Sequence, residues 1–113
     1  MTAPTKSQIR VFELTRLDRV YAEVDVSVTL PDGTTATPAF VDVAVLALRA
    51  RPDATTTWTT GDYAAGTVTV LLAGPDADPT GALAVPSTGG DLWVRVTDVP
   101  EVQAVQAARI TIN

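Results

Sequence analysis

From Val20 to Leu30 the chain alternates without a break. Val20, Ala22, Val24, Val26, Val28 and Leu30 fall on one side, and Tyr21, Glu23, Asp25, Ser27 and Thr29 on the other. An unbroken period of two is the signature of a half-buried β-strand, because successive side chains of an extended backbone point to opposite faces. The valine side must meet a core and the acid and hydroxyl side must meet water, so the segment demands a second layer to cover it. Pro31, Asp32 and Gly33 follow as a turn: proline fixes φ at the second position and glycine accepts the positive φ after it.

The same reading places further strands. Thr67 to Ala73 sets Val68, Val70 and Leu72 against Thr67, Thr69 and Leu71, and Asp91 to Asp98 sets Leu92, Val94 and Val96 against Trp93, Arg95 and Thr97. Phe40 to Ala50 is apolar on both sides and is predicted to be a central strand whose second face meets a loop, the N-terminal arm or a neighbouring subunit. Shorter strands are expected within Ala54 to Thr60 and at Leu83 to Val85, and a closing one at Ala108 to Asn113. Val11, Leu14 and Leu17 recur at a helical spacing, but β-branched residues open Ile9 to Leu14 and no cap precedes it, which favours a first strand. The GPDADPTG segment, Gly74 to Gly81, is a loop by its local chemistry. Strands at this spacing predict an all-β fold, an immunoglobulin-like two-sheet sandwich of about seven antiparallel strands, with a small barrel as the other arrangement. Residues 1–8 read as an arm and 9–113 as a single β-sandwich domain.

Composition narrows the chemistry. Sixteen valines and eighteen threonines suit pleated surfaces, while the complete absence of cysteine and histidine removes thiolate metal sites and the side chain most used for proton transfer near neutral pH. Lys6 is the single lysine, and the serines are Ser7, Ser27 and Ser87, so a Ser–Lys nucleophile has no pocket to form in. Asp76 and Asp78 alternate in the loop as carboxylates converging on calcium do, but the next acid is Asp91; the simpler reading is a proline-bracketed turn. No catalytic residue, cofactor or metal is expected, and the chain reads as a non-enzyme.

A net charge of −5 disfavours a nucleic-acid partner. The longest apolar run, Phe40 to Leu48, is far short of the roughly 20 residues a bilayer requires and is interrupted by Asp42, so no membrane partner is expected. Nor does Met1 to Gln8 carry the apolar stretch of a secretory leader. Residues 1–19 hold +2, leaving −7 for the rest. A basic arm on an acidic body suits docking on an acidic neighbour such as another copy, with Lys6 and Arg10 as candidate contacts. Trp93 lies opposite the valines of its strand beside Arg95; core and interface are both open for it, and Arg95 is grouped with it as a candidate contact. Trp58 is expected in the core.

The stretch DLWVRVTDVPE (Asp91 to Glu101), the closing RITIN, the early VYAEVDVSVTLPDGT and the lone central Trp58 resemble small β-sandwich virion structural proteins of tailed bacteriophages infecting actinobacteria. VQAVQAA after Glu101 departs from that pattern, which leaves a local helix or an altered final pairing open. The resemblance implies a capsid-surface, neck or tail component, assembled in the host cytoplasm into the virion and acting through contacts with other virion proteins or copies of itself. The alternative is an immunoglobulin-like adhesion module binding host cell-surface glycan, with Tyr63 beside Trp58 as its aromatic cluster.

Overall fold

The computed structural model describes residues 10–26, 28–29, 35–36, 40–64, 66–98 and 101–113. The arm, the Pro31–Gly33 turn and Leu30 lie outside the described residues. In chain order the strands are β1 (Arg10–Leu14), β2 (Arg19–Asp25), β3 (Val28–Thr29), β4 (Thr35–Ala36), β5 (Phe40–Ala47), β6 (Thr59–Thr60), β7 (Asp62–Ala64), β8 (Thr67–Ala73), β9 (Leu83–Ala84), β10 (Gly90–Asp98) and β11 (Glu101–Ile112).

They form a two-sheet sandwich. One sheet has the spatial order β1-β11-β10-β5-β6, and the other runs β2-β8-β7 with β9 beside β8; β3 and β4 pair separately. The chain crosses between sheets from β2 to β5 and from β8 to β10. Thus β2, β8 and β7 occupy the places of immunoglobulin strands B, E and D, and β5, β10 and β11 those of C, F and G.

Most pairings are antiparallel, as expected, and two are parallel. β1 runs parallel to β11, with Arg10 opposite Ala108 and Leu14 opposite Ile112, and β9 runs parallel to β8. Parallel neighbours require a crossover. For β1 and β11 that crossover is the whole intervening domain, and for β8 and β9 it is the Gly74–Gly81 loop.

The buried faces follow the alternation. Ala22 and Val24 of β2, Val68, Val70 and Leu72 of β8, and Leu92, Val94 and Val96 of β10 meet Leu14, Val41, Val43 and Ile110 in one core. Two expectations for the Val20–Leu30 strand are revised. Its ladder with β8 ends at Asp25 opposite Thr67, because the partner turns away at Gly66, whose φ is 84°. Val20 is 39% exposed, since β2 lies at the margin of its sheet among the described residues.

The closing strand is longer than Ala108–Asn113. The VQAVQAA segment is neither helix nor turn; it extends β11 and carries a β-bulge. Leu92 pairs with Ala108 and Trp93 with Gln106, so Ala107 is the extra residue. Two successive residues, Ala107 and Ala108, are therefore buried together, which a regular strand does not allow. At the opposite end, Gly89 enters β10 with φ 93°, and a Cβ there would lie 2.5 Å from the Ile110 carbonyl oxygen. Only glycine fits that approach.

Candidate functional site

Because Leu92, Val94 and Val96 point inward, Asp91, Trp93 and Arg95 of β10 point out of the five-stranded sheet. Their partners on β5 are Leu46, Ala44 and Asp42, and on β11 they are Arg109, Gln106 and Ala104. The bulge sets this outer array: by absorbing one residue it brings Arg109 opposite Asp91 while keeping Ile110 in the core.

Arg95 and Asp42 form a cross-strand ion pair, with the guanidinium donating to Asp42 Oδ2 from Nη2 at 2.7 Å and from Nε at 3.2 Å. Trp58, just before β6, lies over the same guanidinium, its ring centre 4.8 Å from Cζ. This stack fixes the long Arg95 side chain and leaves its edge in solvent.

Asp91 is unusual for an outward position, being only 1% exposed. Residues 49–51 fold across it. The Arg49 backbone N–H donates to Oδ2 at 2.9 Å and Arg109 Nε donates to Oδ1 at 2.9 Å, with a longer contact from Arg109 Nη2 to Oδ2. Arg49 is held at φ 65°, the left-handed region that non-glycine residues rarely occupy. That conformation aims its N–H at the carboxylate. The Arg109 guanidinium is raised in pKa by its hydrogen bond to Asp91 and then by the carboxylate charge. Beside this cluster opens a cleft of about 410 Å³ lined by Arg49, Arg51, Asp91, Trp93, Gln106 and Arg109. Trp93 Nε1 is buried next to it and has no acceptor among the described residues.

The cleft offers fixed positive charge and an aromatic surface. Both Asp91 oxygens already accept hydrogen bonds, so its carboxylate is committed to holding Arg49 and Arg109. Among the described residues, no three acidic side chains gather as metal ligands would, and no helix is long and apolar enough to cross a membrane.

No family model, curated protein or solved structure matches the chain.

Of the residues singled out in the sequence, Trp93 and Arg95 lie on this face. Arg10 begins β1 at the edge of the same sheet, and Lys6 lies outside the described residues. Trp58, expected in the core, sits instead on the outer face, because its place before Thr59, the partner of Val43, turns it outward. Tyr63 is opposite Val68 and packs against the core, so it forms no aromatic cluster with Trp58. Asp76 is bridged by Arg16 at 2.8 Å, and Asp78 Oδ1 accepts from the Thr80 N–H and hydroxyl. These bonds hold both carboxyls below their ordinary pKa. The residues that sequence reasoning missed are Asp91, Arg109, Arg49 and Arg51. A usable signal existed in Asp91 and Arg109, opposite charges at outward positions of the last two strands, but pairing them requires knowing where the bulge falls.

Proposed function

We propose that this domain is a non-catalytic structural component that acts through protein–protein contacts, as part of a tailed-bacteriophage virion. The observation that supports it is the gathering of both tryptophans and four arginines, Arg49, Arg51, Arg95 and Arg109, on the outer face of the five-stranded sheet. Tryptophan and arginine dominate binding hot spots because each combines a large contact surface with directed polar groups. The ion pairs and the Trp58 stack hold Arg95 and Arg109 in place before binding, which lowers the ordering cost of association. The virion setting rests on the resemblance of Asp91 to Glu101 and the closing strand to phage sandwich proteins.

The test is to probe purified particles for the chain and to compete wild type against Arg95→Ala during assembly. Incorporation at a fixed ratio to the other particle proteins is expected. Arg95→Ala should lower it about tenfold, the ratio set by a cost of about 1.4 kcal/mol. Absence from particles together with binding to cell-wall glycan would replace this reading by the adhesion one.

A further inference from the structure

The outer faces of the two sheets carry local patches of opposite charge. On the five-stranded sheet, Arg49, Arg51 and Arg109 surround the cleft, and the one acid there, Asp91, is sealed beneath them. On the smaller sheet, Glu23 and Asp62 both pair with Thr69, so two exposed carboxylates flank one threonine in a single cross-strand row. Asp25 stands in the next row, opposite Thr67. No cation stands among the described residues of those two rows. Tyr21, 73% exposed opposite Leu71, continues the same face as an apolar anchor.

We infer that the arginine-lined cleft receives the Glu23, Asp25 and Asp62 face of a second copy of this chain, so that copies stack head to tail. Resting on the protein–protein reading above, this names the partner. Charge complementarity supports it: a chain of net charge −5 repels its copies in general, and a cluster of arginines around the cleft facing two rows of carboxylates is what favours one orientation of approach. Since the two surfaces differ, the contact is heterologous and propagates, giving an open stack or a ring. The acidic patch is three strands wide and spans two alternate residues along each strand, about 14 Å by 7 Å or roughly 100 Å², well under the standard stable interface of about 800 Å² per partner. Each contact is therefore weak and salt-sensitive, and stacking is a property of concentrated protein.

Sedimentation velocity of the purified chain tests this. In low salt the weight-average sedimentation coefficient should rise with protein concentration, and it should fall back to the monomer value near 1 M salt, where the screening length is about 3 Å. Two charge-reversed variants, Arg49→Glu with Arg51→Glu and Glu23→Lys with Asp25→Lys, alter exposed side chains only and should each stay monomeric. Mixed in equal amounts they should associate again, because each reversed surface then faces its complement. The neutral pair Arg49→Gln with Arg51→Gln serves if a reversed variant misfolds, and it should also lose association. A monomeric wild type in low salt, unchanged association in the variants, or no recovery on mixing would overturn the inference. A monomeric wild type still found in particles would leave the structural reading standing; self-association of a chain absent from particles would do the reverse.

Discussion

Asp91 shows how a single side chain can organise a surface. A carboxylate at 1% exposure is costly to bury, and here three donors offset that cost. Asp91→Ala leaves the Arg49 N–H without its acceptor and Arg109 without its anchor, so a loss of about 2 kcal/mol is expected in urea unfolding. Asp76→Ala is the control. Its carboxylate and the Arg16 partner are both about half exposed, and such pairs contribute little, so its midpoint should shift far less than that of Asp91→Ala. Equal midpoints for the two variants would show that Asp91 is not the organiser described. The sequence made Trp93 and Arg95 legible because they interrupt a valine alternation. It hid Asp91, whose burial is produced by a loop 42 residues earlier in the chain, at Arg49, and not by anything in its own strand.

At the scale of elements, the strands that were readable are those whose two faces differ. β8 and β10 match their expected extents closely, and β5 stops at Ala47 where Leu48 turns out to solvent. β11 was only half legible, because Ala107 and Ala108 carry too little side chain to declare which is buried, and the bulge lies between them. That bulge fixes both the core and the outer array. Deleting Ala107 makes the ladder regular and leaves Gln106 opposite Trp93 and Ala108 opposite Leu92, so both faces are kept, whereas inserting one alanine between Ala108 and Arg109 turns Arg109 inward and Ile110 outward. The insertion should lower the melting temperature far more than the deletion, which removes only the bulged residue. Comparable melting temperatures would mean that the faces of β11 are not set by this register. The parallel placement of β1 was beyond reach for a related reason: five residues with apolar side chains on both faces do not encode which edge they join.

The whole molecule has no histidine and no cysteine, which gives its stability a simple dependence on pH. No side chain has an ordinary pKa between about 5 and 9, so a flat stability profile is expected across that range. Below it, Asp18, Asp53, Asp76 and Asp78 act together. Each accepts hydrogen bonds within a turn or from Arg16, and each is thereby held below the usual 3.8 in the folded chain. Near neutral pH these carboxyls are ionised whether the chain is folded or not, and the bonds contribute in full. As pH falls through 3.8, the unfolded chain takes up protons first and the folded chain resists, so stability is lost until the folded carboxyls protonate as well. Thr15 to Asp18 and Gly74 to Asp76 are the loops that tie the two sheets at one end, through Gly74 N–H to the Asp18 carbonyl and Asp76 N–H to the Arg16 carbonyl. Acid should therefore loosen that end first. Urea midpoints measured from about pH 9 to 2 should form a plateau with a fall only below about pH 5. Amide exchange at Gly74 and Asp76 should accelerate there before exchange in β8 does. A midpoint that changed between pH 6 and 8, or uniform acceleration in β8 and the loops, would contradict this account.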